Sequence, residues 1–291
     1  MRGTTLGWRG DFTGSRQHLQ SMIALYDNDR HHALTFKYGG LNPCTFAQAH
    51  AGFATWSLGY PEQALVHSET AVALAREIAH PVSQAHASVC AAWVNICCGD
   101  FTRARDLATV GRQTAVASQA LYWVAFSDIF LSIALRDASQ LRLAIEALAA
   151  TGSLLGRTSH LGWLAEVYLL DGQNDEARAA LDEALALSAG GEHVYLAELH
   201  RLRGELTLAT GGAPADAEHC LERAIEIAQQ QAAKSWELRA TMSLARLWMR
   251  NGRSQEARAR LLEIYAWFTE GFATQDLVDA EALLAFLADS R

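Results

Sequence analysis

The sequence is poor in several features, and each shortage narrows what it can be. Of 291 residues only four are proline and two are lysine, Lys37 and Lys234, so arginine supplies nearly all the positive charge. With 24 basic against 32 acidic residues the formal net charge is −8, which argues against a nucleic-acid-binding domain with its basic face. The five cysteines, Cys44, Cys90, Cys97, Cys98 and Cys220, are odd in number and form no CxxC pair. Three of them lie in one apolar helical stretch, where cysteine packs as a small hydrophobe. No disulfide framework is expected, and a reducing cytoplasm is. No basic-then-apolar leader opens the chain. The longest strongly apolar stretch, Leu121–Leu135, carries Asp128 and falls short of the roughly 20 residues a membrane span needs.

Catalytic signatures are missing too. There is no GxxxxGK[ST] loop to cradle phosphates, no HExxH helix and no GxSxG elbow. Gly39–Gly40 reads as a loop turn. Among eleven histidines, His31 and His32 are adjacent, His86 and Cys90 stand at i and i+4, and His193 and His200 share a helix face. None completes the paired ligand sets of a structural zinc site. The reading is therefore of a chain that is not an enzyme, with no metal, no cofactor, no nucleic acid and no membrane among its partners. Valine, isoleucine and threonine form no alternating runs, so no strands are expected.

What is present is a period. Gly59, Gly99, Gly172, Gly212 and Gly252 are each followed five residues later by alanine, at Ala64, Ala104, Ala177, Ala217 and Ala257. Three intervals are 40 residues and the fourth is 73, close to two periods with one marker lost near Asp137–Ser139. A fixed period in the range of about 20–50 residues marks a solenoid. Small residues recur seven before the glycine (Gly52, Ala92, Ala165, Ala245) and twelve after it (Ala71, Gly111, Ala184, Ala224). The glycine closes one helix in a left-handed conformation, and the small residues let two antiparallel helices approach. Pro43, Pro61, Pro81 and Pro214 each sit where a helix begins, with Asn42 as an N-cap. Helix pairs are predicted at 43–58 with 61–78, 81–98 with 101–118, 120–136 with 139–151, 157–171 with 174–188, 193–210 with 214–231, and 234–250 with 254–270. A helix at 275–289 closes the array with a polar outer face. Before Pro43 stand one helix at 13–26 and a short remnant ending at Gly10, so the array begins partway through a pair. The domains read as an incomplete repeat and loop over 1–41, a solenoid over 42–272 and a capping helix over 273–291.

This small-residue grammar resembles the tetratricopeptide repeat, with the period stretched from about 34 to about 40 residues. Longer helices of this sort are similar to the solenoids of large bacterial signalling ATPases, including the maltose-regulator type. The phrases LGYPEQAL (58–65), AELHRLRGEL (197–206), KSWELRATMSLARLW (234–248) and WFTEGFATQDLVDAEALL (267–284) resemble the C-terminal repeats of predicted ATPases. In those proteins the solenoid follows a P-loop ATPase module, often with a class III adenylate or guanylate cyclase, winged-helix or LuxR-type domain ahead of it. The resemblance implies an all-α, right-handed solenoid that serves as the protein-interaction or effector-sensing part of such a system. Neither activity carries over to any residue here. A free-standing receptor for a peptide or small molecule, and a folded fragment of a larger regulator, are the alternatives.

Two sets of residues stand out as candidate sites. Glu198, Arg201 and Glu205 lie at i, i+3 and i+7 of one helix, with Glu237, Arg239 and Arg246 one repeat later. These read as an ion-pair network between repeats or as a charged patch for a ligand. The resemblance places an inner groove on the first helix of each pair. It selects Phe46, Phe53, Trp56, His86, Trp93, Asp128, Glu166, Arg239, Met242, Arg246 and Arg250, aromatic at one end and basic at the other, the residue types of binding anchors; the alternative for many of the aromatics is plain core packing. The groove would receive a protein partner, an attached ATPase or cyclase module, or an effector.

Overall fold

The computed structural model describes residues 2–27, 30, 31, 33, 35 and 40–289. His32, Lys37 and Gly39 lie outside the described residues. Among those described there are fifteen α-helices and no strand. A short α1 (Arg2–Trp8) and α2 (Phe12–Leu25) come first. Six pairs follow: α3 (Pro43–Ser57) with α4 (Pro61–Ile78), α5 (Pro81–Cys97) with α6 (Phe101–Ala117), and α7 (Leu121–Leu135) with α8 (Ala138–Ala150). The next are α9 (Arg157–Leu170) with α10 (Asn174–Ser188), α11 (Leu196–Ala209) with α12 (Pro214–Gln230), and α13 (Lys234–Arg250) with α14 (Ser254–Tyr265). The last helix is α15 (Gln275–Asp289). This is an all-α solenoid of antiparallel helix pairs. No described helix is long and apolar enough to cross a membrane.

The two helices of a pair differ in how they are buried. In α5 nearly every residue from Ser83 to Cys97 is buried, as expected of a helix covered on several sides. Its mate α6 buries only Ala104, Leu107, Ala108, Gly111 and Ala115, one stripe at spacings of three and four. First helices therefore stack on one another, α5 on α7 and α9 on α11 on α13, while second helices keep a solvated face. The marker alanines, Ala64, Ala104, Ala177, Ala217 and Ala257, are each 0% exposed. On α15 the outward face is less polar than the sequence suggests, since Val278 and Phe286 are exposed beside its acids.

The turns correct the marker in two places. Gly59, Gly99, Gly172 and Gly252 have positive φ, but in the remaining repeat the residue with positive φ is Gly211 (+71°), not Gly212. The small residue seven before it is Gly204, while Ala217 and Ala224 keep step with Gly212. One extra residue thus sits in this turn, and it accounts for the mismatch. The lost marker in the 73-residue interval is Arg136, with φ +55°. Seven before it stands Ile129, five after it Leu141 and twelve after it Leu148, all buried. Large aliphatic side chains fill every small-residue position of that pair, which hides it from the pattern. Asp137, next to Arg136, then caps α8 by accepting from the Gln140 amide at 2.9 Å.

Three of the turns between pairs use the same left-handed residue without glycine: Ala79, Gln119 and Ala232 have φ of +53° to +55°. A side chain in this conformation costs about 1 kcal/mol. Gln119 is exposed, so Gln119→Gly is expected to raise the melting temperature by roughly 1–3 °C. The same change at Arg136 is expected to gain less, because its guanidinium lies 5.1 Å from the Phe101 ring centroid. Differential scanning calorimetry of the two variants measures both; a lower melting temperature for Gln119→Gly would contradict the strain assigned to this turn.

The chain forms two compact units. The first comprises residues 1–7, 11–56 and 61–155. Its core includes the rings of Phe53, Trp56, Trp93 and Phe130, and Asn42 caps α3 by accepting from the amides of Cys44 and Thr45, both at 3.1 Å. The second comprises residues 156–291 together with 8–10 and 57–60. In it the Trp8 carbonyl accepts hydrogen bonds from His193 N–H (2.8 Å) and Val194 N–H (3.1 Å), and Tyr60 meets Trp267 edge-on at 5.5 Å.

Candidate functional site

The second unit builds its site from an aromatic-x-x-charge pattern at its first helices: WLAE at 163–166, YLAE at 195–198, where Tyr195 is the N-cap of α11, and WELR at 236–239. Each presents an aromatic ring on one turn and a charge on the next, since residues three apart share a helix face. The rings form the floor. Trp163 lies 5.6 Å from Tyr195, and Tyr195 meets Trp236 edge-on at 5.1 Å. All three are nearly inaccessible, at 4%, 0% and 1% exposure.

The charges form a seam above them. Glu198, 1% exposed, receives a fork from Arg201, whose Nη2 lies 2.6 Å from its Oε1 and whose Nε lies 2.9 Å from its Oε2. Arg201 Nη2 also donates to Glu166 Oε1 at 3.0 Å, and its Nη1 stands 3.8 Å from Glu205. Arg239, stacked 5.3 Å from the Trp236 ring, donates from Nε to Asp276 Oδ2 at 2.8 Å and approaches Glu198 at 3.8 Å. The seam joins α9, α11, α13 and α15. Four carboxylates meet two guanidinium groups, and the imbalance shows in their acidities. Burial raises the Glu166 carboxyl above the usual range against the pull of Arg201, with Glu198 adding to the rise. Burial raises Asp276 likewise, opposed by Arg239. Burial works against the charge of Arg201, yet Glu198, Glu166 and Glu205 together hold its pKa well above the ordinary value.

The structure sorts the other sequence candidates. Glu237 stands apart from the seam, receiving hydrogen bonds from Lys234 Nζ (2.7 Å) and Gln229 Nε2 (2.8 Å). Arg246 is half-buried with no ion pair to a described residue, and Arg250 is exposed. Asp128 pairs with Arg112 at 2.5 Å. The aromatic anchors need correction. Phe53, Trp56, Trp93 and His86 are 7%, 2%, 5% and 2% exposed, and Met242 is 4% exposed in the core around Leu238 and Leu244. Phe53 stacks on Trp93 with centroids 4.0 Å apart. First-helix aromatics lie against neighbouring first helices, so these side chains offer a partner no surface. Asp276 belongs to the helix at 275–289, of which only a polar outer face is expected from sequence, and the ring floor has no counterpart among the sequence candidates.

Residues 156–230 match the family model described as tetratricopeptide repeat. The crystal structure of a tetratricopeptide repeat protein from Parabacteroides merdae superposes over 99% of this chain and 96% of its own, with a TM-score of 0.51 and 13% identity. This is a tetratricopeptide-like helical solenoid. Solenoids of this type are typically non-catalytic and serve as protein-interaction scaffolds. A curated relative, an uncharacterized protein of Rhizobium meliloti (strain 1021), is 24% identical over 259 residues. The match covers 84% of the solenoid chain and 25% of that protein, so the chain spans a quarter of the relative's length.

Proposed function

We propose that this solenoid is the protein-interaction and effector-sensing part of a bacterial signalling ATPase or adenylate cyclase system. The observation that carries the reading is the seam. One set of ion pairs runs through the first helices of three successive pairs and into α15, so displacing one of these helices changes the charge environment of the next. A partner that binds one arrangement of the pairs more tightly shifts the population toward it by the difference in affinity. The resemblance of the four phrases to the repeats of predicted ATPases supports the choice of system, and the match covers only 25% of the Rhizobium relative. Docking falls to Arg246 and Arg250 at the end of α13.

The test is affinity purification from the source organism with mass-spectrometric identification. A P-loop ATPase or class III cyclase is expected to co-purify, and Arg246→Glu with Arg250→Glu to reduce its recovery about tenfold, as for the loss of one or two interfacial charge contacts. Recovery of neither enzyme would overturn the proposal. A bound peptide or small molecule in their place would make the solenoid a free-standing receptor.

A further inference from the structure

In the first unit, three side chains with metal-binding atoms converge away from the seam. His50 on α3 and His86 on α5 face each other with their Nε2 atoms 3.3 Å apart, and Cys90 Sγ lies 3.4 Å from His86 Nε2. All three ligand atoms fall within 4.8 Å of one another. Phe46 stacks on the His86 ring at 5.5 Å and Trp123 meets it edge-on at 5.1 Å. His86 and Cys90 are buried while His50 is partly exposed, which leaves a route for an ion to enter.

Hydrogen bonding alone serves this trio badly. The neutral His86 ring has a single lone pair, on one nitrogen only. If that lone pair is on Nε2, it has both the Cys90 thiol and the His50 ring N–H as neighbours, and it accepts fully from only one. His86 Nδ1 is then a buried N–H, and it has no partner among the described residues. If the proton sits on Nε2 instead, the lone pair is buried unused at Nδ1. A metal ion removes the competition at Nε2, while Nδ1–H stays a buried donor with or without it. Metal–nitrogen bonds of about 2.0–2.1 Å and metal–sulfur bonds of about 2.3 Å place nitrogens roughly 3.3–3.6 Å apart and nitrogen from sulfur roughly 3.5–3.8 Å. The two separations at His86 Nε2 reach that range with shifts of a few tenths of an ångström, and His50 and Cys90, within 4.8 Å of each other, close with a shift of at most about 1 Å.

We propose that His50, His86 and Cys90 form a binding site for a thiophilic metal ion, Cu⁺ in preference to Zn²⁺. Thiolate with imidazole suits both ions. Two features select copper. No fourth histidine, cysteine or carboxylate joins the group among the described residues, and Cu⁺ accepts three ligands. One thiolate also neutralises one monovalent cation, whereas Zn²⁺ would leave a net charge in an aromatic-walled interior, which is unfavourable. On binding, the Cys90 S–H bond breaks, its proton leaves to solvent, and the sulfur–metal bond forms. Sequence spacing pointed away from a metal because it shows only His86 and Cys90 on one helix. The third ligand stands 36 residues before His86 on another.

The test titrates the full chain with Cu⁺, under anaerobic reducing conditions, against a chromogenic Cu⁺ chelator, with a parallel Zn²⁺ titration. One equivalent of Cu⁺ is expected to be withdrawn, and X-ray absorption should show one sulfur and two nitrogens at the metal. Cys90→Ser and His50→Gln should each weaken binding by at least about 100-fold, while Cys98→Ser leaves it unchanged. His50 is partly exposed, so its variant reports even if Cys90→Ser fails to fold. Failure to withdraw stoichiometric Cu⁺, sulfur-only coordination, or retention that survives both ligand variants would overturn the site. Zn²⁺ held more tightly than Cu⁺ would overturn the choice of metal.

Discussion

Arg201→Met is expected to lower the melting temperature by about 10 °C, the largest loss of any single change in the seam. Arg201 is the cation that Glu166, Glu198 and Glu205 share. Without it Glu198, 1% exposed, keeps only Arg239 at 3.8 Å. Breaking a buried ion pair from one side costs about 3–5 kcal/mol, because the remaining charge stays desolvated. For a chain of this size each kcal/mol shifts the midpoint by roughly 2–4 °C. Glu166→Gln is the matched contrast and should cost little. Glutamine still accepts from Arg201 and removes a charge that burial disfavours. The sign of the pH effect follows from the raised Glu166 pKa. A folded-state carboxyl that binds its proton more tightly than the unfolded chain stabilises most below the unfolded value. That contribution is lost as the pH rises through the folded value. Glu166→Gln should therefore gain on the wild type from acid toward neutral pH. Thermal melts at several pH values measure both variants, and a loss below about 1 kcal/mol for Arg201→Met would show that the seam carries little stability.

Gly59→Ala is expected to cost about 3 kcal/mol or more, and Gly172→Ala or Gly252→Ala only about 1. The three glycines share a left-handed backbone, with φ of +92°, +73° and +77°. They differ in what surrounds them. A β-carbon on Gly172 or Gly252 would meet nothing within 4 Å, so only the backbone strain is felt. On Gly59 it would lie 2.5 Å from Trp267 Cζ3 and 2.8 Å from Lys234 Cβ. Strain and overpacking then add, because a tryptophan ring held by Tyr60 and by Lys234, with its Nζ at 5.7 Å, has little room to give. Denaturant unfolding of the three variants decides it. Equal losses would mean that the turn at 57–60 is not packed as the structure shows.

Much of the fold was legible in the sequence because glycine and proline mark turns by local backbone chemistry. Pro61, Pro81 and Pro214 each begin a helix where expected, and the boundaries of α4, α10, α13 and α15 match the reading. Legibility failed where other residues took on the same geometry. Arg136 adopts the glycine conformation with a side chain, and Gly211 shifts the marker by one residue. The site followed the same rule. Glu198, Arg201 and Glu205 were visible as neighbours on one helix. Glu166 and Asp276 reach the same seam from 35 and 37 residues away, and turn lengths that vary between repeats blur such distances. The aromatics were misplaced for a different reason. Ring and groove residues share a helical period, and only the packing of neighbouring first helices shows which are covered.

The membership of residues 8–10 and 57–60 in the second unit bears on how the chain can be dissected. A fragment cut at Gly156 would carry the whole WLAE, YLAE and WELR series yet lose the carbonyl that receives the His193 and Val194 amides. It would also lose the tyrosine that covers Trp267. The linear boundary and the cooperative boundary differ, so a truncation library sampled only at chain ends would misjudge which pieces stand alone. Supplying the two missing segments, 8–10 and 57–60, in trans as short peptides is the more faithful way to complete the fragment.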